Sequence, residues 1–182
     1  MRVRQRYAAA CLAAMMWSSV VCAAESAPEY QVKAAFLFNF AQFVEWPASA
    51  FASPDAPFAI CVLGPDPFGP ELDSLVRGES VNRRPFVIER YRSIAQLRNC
   101  NILYIDRSQL PDLARIRDVA RERSILTVTD AEGGDQEGVV IHLVTQDHHI
   151  RLRIDVGAAK ASHLTISSKL LRPAEIIGSG EG

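Results

Sequence analysis

The chain has no surplus of positive charge: 20 Lys and Arg stand against 21 Asp and Glu over 182 residues. Affinity for phosphate backbones rests on clustered cations, so this balance argues against a nucleic-acid partner. Catalytic signatures are equally scarce. The sequence has no Gly-x-Ser-x-Gly elbow, no His-x-x-x-His on a helical pattern, no Cys-x-x-Cys, no Gly-Lys-Ser/Thr phosphate loop and no dinucleotide fingerprint. Each absence removes a reaction class: the acyl-transfer nucleophile, the helical metal pair, the redox dithiol and the nucleotide cradle. Internal repeats and a second domain boundary are also missing.

What is present begins with an export signal. Met1-Arg-Val-Arg-Gln-Arg6 is basic, Tyr7 to Val21 carries no charge, and Cys22-Ala-Ala24 forms a small-x-small site before Glu25. That order is the secretory pattern, with cleavage expected between Ala24 and Glu25. A membrane anchor competes poorly, because the apolar run is short and broken by Ser18 and Ser19. Lipid attachment at Cys22 fits less well with Val21 before it. Removal of residues 1–24 takes three arginines and no acid, leaving 17 bases against 21 acids, about −4. The expected organisation is a signal peptide over 1–24, one α/β domain over 25–178 and a disordered tail over 179–182, with no membrane span after cleavage.

Two of the four cysteines leave with the signal. In an oxidising compartment the remaining pair, Cys61 and Cys100, is expected to join as a structural staple.

The mature chain opens on Glu29 to Pro47, which holds four of the eight Phe. Val32, Phe36, Phe40 and Phe43/Val44 recur at helical spacing, widened by Leu37 and Ala41, with Lys33 and two Glu on the charged face. Pro47 predicts a stop near Glu45. The pattern suits a helix packed on a sheet; a recognition or membrane-surface helix remains the alternative.

Beyond it, apolar runs alternate with helical stretches. Strands are predicted at 58–63, 85–91, 101–105 and 124–129, and helices at 70–77 and after Ser108, which is the expected cap. Segments 139–145 and 149–156 flank Gln146-Asp-His148 as an antiparallel hairpin at a sheet edge, and 167–177 reads as a last helix. The fold class is therefore a single three-layer α/β domain, its central sheet mostly parallel with an antiparallel edge hairpin and helices on both faces.

Asp66, Asp106 and Asp130 follow successive strands, where open α/β sheets bind ligands, so they form a candidate ligand site. The plain competing reading is that Asp caps turns and helices through its own hydrogen bonds. The Gly64-Pro-Asp-Pro-Phe-Gly69 turn sits where a phosphate loop would, but Pro65 and Pro67 remove backbone donors. His142, His148, His149 and His163 lack metal-ligand spacing, and no catalytic residue, metal ligand or cofactor site is assigned.

Tyr30 to Pro47, Phe58-Ala-Ile-Cys-Val-Leu-Gly-Pro-Asp-Pro-Phe-Gly69, Leu126-Thr-Val-Thr-Asp130 and Leu164-Thr-Ile-Ser-Ser-Lys-Leu-Leu171 occur in the order seen in the YfiR family, which the mature chain resembles over nearly its whole length. Cys61 and Cys100 fall where relatives carry a disulfide. Asp155 departs from the pattern, standing where Asn is expected. The resemblance implies a periplasmic, non-enzymatic repressor. It would restrain an inner-membrane diguanylate cyclase through the periplasmic domain of that enzyme, lowering cyclic-di-GMP and biofilm formation. An outer-membrane peptidoglycan-binding lipoprotein would sequester it, and a homodimer is compatible. Because apolar anchors dominate interfaces, the candidate partner-binding residues are Phe36, Phe40 and Phe43 with Leu164, Ile166, Leu170 and Leu171; ordinary core is the competing role for the leucines. The second functional reading is a small-molecule sensor or carrier with a pocket at the strand carboxyl ends.

Overall fold

The computed structural model describes residues 27–133 and 136–178. The expected signal segment, the Ala24/Glu25 junction expected for cleavage and the expected tail 179–182 lie outside the described residues.

The buried run Phe58–Leu63 (β2) is the middle of the fold, because its six side chains alternate between two cores. Phe58, Ile60 and Val62 point to the face covered by helix α1 (Ala27–Phe43) and helix α2 (Pro70–Val76). Ala59, Cys61 and Leu63 point to the face covered by helix α3 (Leu113–Arg123). Residues covered on both sides have no need of a polar alternation, which is why the run reads as continuously apolar.

The remaining strands follow in chain order: β1 (Val44–Glu45), β3 (Ser80–Val81), β4 (Arg84–Tyr91), β5 (Ile102–Ile105), β6 (Leu126–Thr129), β7 (Ile141–Gln146), β8 (His149–Asp155), β9 (Thr165–Ile166) and β10 (Glu175–Ile177). Short helices α4 (Val156–Ala161) and α5 (Ser168–Leu171) separate the last of them. The main sheet runs β10-β8-β7-β6-β5-β2-β4-β3. Strands β7, β6, β5, β2 and β4 are parallel; β8 opposes β7, and β3 opposes β4. The chain is thus a three-layer α/β domain with a mostly parallel sheet.

Several boundaries differ from expectation for local reasons. Helix α1 stops at Phe43, two residues early, because Val44 and Glu45 pair with Ile166 and Thr165 as a small second sheet, β1 with β9. The hairpin β7–β8 turns on Asp147 and His148, both at positive φ, the turn geometry whose twist matches paired strands. It is not the outermost pair, since β10 adds alongside β8. The helix expected over 167–177 is only α5: Pro173 follows it, and the β-branched Ile176 and Ile177 enter the sheet. The cap of the segment after β5 is Asp106, whose carboxylate accepts from the Ser108 amide.

The stripe on α1 is also rotated. Lys33 is 1% exposed, whereas Val32 is 48% exposed. Leu37, Phe40 and Ala41 fill the core face as expected.

Candidate functional site

The three strand-end aspartates are placed at neighbouring loops but not in one constellation. Asp66 accepts from the Phe68 amide at 2.8 Å and from Arg90 Nε at 2.7 Å. The same guanidinium reaches Asp73 of α2, and that bond, outweighing burial, holds the Asp73 carboxyl below the usual range. Asp106 caps the turn that follows it. Gly64, at φ +97°, lies so near that a Cβ there would stand 2.9 Å from the Asp106 Cβ. This contact closes the crevice between β2 and β5, adjacent strands whose connections leave over opposite faces of the sheet. Phe68 fills the space behind it, edge-on to Tyr104 at 4.8 Å and to Tyr30 at 5.6 Å.

Asp130, just beyond β6, has a different environment. Its Oδ2 accepts from Lys33 Nζ at 2.6 Å and its Oδ1 from the Tyr104 hydroxyl at 2.5 Å. Lys33 also pairs with Glu29 one turn earlier at 2.8 Å, and Thr145 of β7 donates to that same Glu29 oxygen at 2.5 Å. The Tyr30 ring lies 4.5 Å from the ammonium. A charge removed from water needs near-complete compensation, and here α1, β5, β6 and β7 together supply it. Burial pushes the Tyr104 phenol strongly up, helped by the Asp130 charge. For Glu29, burial pushes the carboxyl up, but bonds from Lys33 and Thr145 and the Lys33 charge outweigh it and leave the carboxyl below its usual range.

Asp130 also borders a cleft of about 440 Å³ whose lining includes Gln136, His142, Arg153, Asp155 and Gly178. His142 Nδ1 lies 2.9 Å from Gln136 Oε1, and the Gln136 amide donates to the Ala131 and Gly133 carbonyls. Burial holds the imidazole below its ordinary pKa of 6.5, so His142 is neutral at pH 7. Arg153 is its cross-strand neighbour and lies 3.3 Å from Glu175, a charge pairing without hydrogen-bond alignment. The cleft therefore offers one guanidinium and several carboxylates around a buried imidazole, a set of donors and acceptors suited to a small polar ligand.

Of the partner-binding candidates, Phe40, Leu164 and Leu170 are core residues. Phe36, Phe43, Ile166 and Leu171 are half-buried and pack against that core. Ile166 is the register partner of Val44, and the Ser167 amide next to it donates to the Phe43 carbonyl at 2.8 Å. Cys61 and Cys100 are bridged beneath the α3 layer, with Cα atoms 6.0 Å apart.

The sequence reading places Lys33, with Glu29 and Glu45, on a charged face and does not single out Tyr104 or Thr145. A lone Lys within an otherwise apolar stripe, and a Tyr inside a buried strand, were the available signals.

Among the described residues, no helix is long and apolar enough to cross a membrane, and no group of three or more His, Cys, Asp or Glu is placed to hold a metal. The model of the YfiR/HmsC-like family matches residues 30–175, from the first helix through the last strand's first residue. A comparison with curated proteins returns no match.

Proposed function

The chain belongs to the YfiR/HmsC-like family, and from that premise we propose that it is an exported regulator of cyclic-di-GMP signalling. It works in the periplasm by binding the periplasmic sensor part of an inner-membrane diguanylate cyclase and restraining it, without catalysis of its own. The family match over residues 30–175 carries this reading. The side-chain geometry is compatible with it: Asp66, Asp106 and Asp130, which a ligand site would need, each hold bonds within the chain. The half-buried Phe36, Phe43, Ile166 and Leu171 form the contact surface in this reading. An outer-membrane peptidoglycan-binding lipoprotein is the second partner, competing for the repressor.

The test is titration of the purified mature chain, residues 25–182, against the isolated periplasmic domain of the cyclase encoded in the same genome. Saturable 1:1 binding that Phe43→Ala and Leu171→Ala weaken at least tenfold, with a rise in cyclic-di-GMP when the gene is deleted, is the expected result. Absence of binding, with cyclic-di-GMP unchanged while the cyclase is expressed, refutes it.

The cleft beside Asp130 favours a second reading, a sensor or carrier of a small polar molecule. A metabolite that raises the melting temperature of the wild type but not of Arg153→Ala supports that reading.

A further inference from the structure

Helix α1 is held in two chemically different ways along its length. From Phe36 onward the anchor is apolar: Leu37 and Phe40 are fully buried, Ala41 nearly so, and the chain continues directly into the β1–β9 pairing. Before that point Gln31 and Val32 are exposed, and Ala34 is the one apolar side chain among residues 31–34 that is buried. There the contacts are mainly polar: Lys33 to Asp130 and Glu29, and Thr145 to Glu29, with the Tyr30 ring against Phe68.

These two anchors respond differently to separation. Lifting the second half would expose several aromatic and aliphatic surfaces at once, and that cost scales with area. Lifting the first half exchanges charge-assisted bonds for hydration of the same charges, an exchange close to balance. Local opening follows such differences, so one helix can contain two units of unequal stability.

We propose that the first two turns of α1, residues 27–34, are a strap that opens independently of the rest of the helix, with the Lys33–Asp130 ion pair as its catch. The hinge lies at Ala35 and Phe36, where the anchor changes from polar to apolar. Opening uncovers Phe68 and the Tyr104–Asp130 pair at the strand ends, beside the cleft that Asp130 already borders. The inference rests on the geometry of α1 and is independent of which partner or ligand the protein binds.

Hydrogen exchange followed by mass spectrometry on the mature chain, residues 25–182, tests it. Amides of residues 31–35 should exchange at least tenfold faster than those of residues 38–43. Asp130→Asn should accelerate the first group at least tenfold more than the second. Thr145→Val, which removes one bond to Glu29 and no charge, should do the same by a few-fold and remains decisive where Asp130→Asn does not fold. Equal rates along the helix, or variants that accelerate both groups by the same factor, would show that α1 docks as one unit and overturn the proposal.

Discussion

Lys33 Nζ lies 2.6 Å from Asp130 Oδ2, an ion pair that joins the first helix of the domain to the end of β6 across 97 residues of sequence. The ammonium is 1% exposed and the carboxylate 7%. Breaking such a pair from one side leaves the other charge stranded, which costs about 3–5 kcal/mol. Lys33→Met should therefore lower the urea-unfolding free energy by that amount. Lys33→Met combined with Asp130→Leu should recover much of the loss, and a single-variant loss below about 1 kcal/mol would mean that the pair is hydrated in solution.

Acid should weaken the fold in two separate windows. His142 is held below its ordinary value of 6.5, so the unfolded chain takes up this proton first. Stability should then fall as pH drops below about 6.5, until the folded-state value is passed. Glu29 is held below its ordinary 4.5, so its contribution is complete above that value and is lost as pH falls through the folded-state pKa. Melting temperature measured from pH 7.5 to 3 should show both limbs. His142→Asn should flatten the upper one and Glu29→Gln the lower; a single limb common to all three proteins would contradict the assignment.

The Cys61–Cys100 bridge spans 39 residues. On the chain-entropy account its removal costs about 4 kcal/mol. Replacing both cysteines with Ala should lower stability by that order in urea titration, and mass spectrometry of the denatured, unreduced wild type should find neither thiol alkylated. Full alkylation of both would exclude the bridge.

Asn101 holds the amino-terminal end of β5. Its side-chain oxygen accepts from the Ala59 amide at 2.9 Å, and its carbonyl accepts from the Leu126 amide and from Trp46 Nε1. Asn101→Ala leaves the buried Ala59 amide without that partner, a loss of about 1–3 kcal/mol. Differential scanning calorimetry should record it as a lower melting temperature; an unchanged value would place water at that amide.

Gly64 carries φ +97° against Asp106. Gly64→Ala combines a backbone conformation that side chains avoid with a contact too short to keep, at a cost of about 1–3 kcal/mol. A crystal structure of the variant should show the 64–69 turn displaced from Asp106; an undisturbed turn with full stability would refute the close approach.

The order of elements, the parallel sheet and the burial of β2 were legible in the sequence because they depend on local periodicity and on runs of apolar residues near in the chain. The same holds for the hairpin at Asp147 and His148 and for the pairing of Cys61 with Cys100. The aspartates at the strand ends were visible as residues, yet their partners were not. Asp66 meets Arg90 24 residues away and Asp130 meets Lys33 97 away, and no local pattern encodes those distances.

Helix α1 shows the division most plainly. Spacing alone determined that Glu29 to Pro47 contains a helix with Leu37, Phe40 and Ala41 inward. Hydrophobicity then favoured Val32 over Lys33 for the core, since a lone cation is costly to bury. Tertiary structure reversed that choice: β5, β6 and β7 bring Tyr104, Asp130 and Thr145 together beneath the first turns, so the ammonium and its carboxylates compensate one another and Val32 is left to solvent.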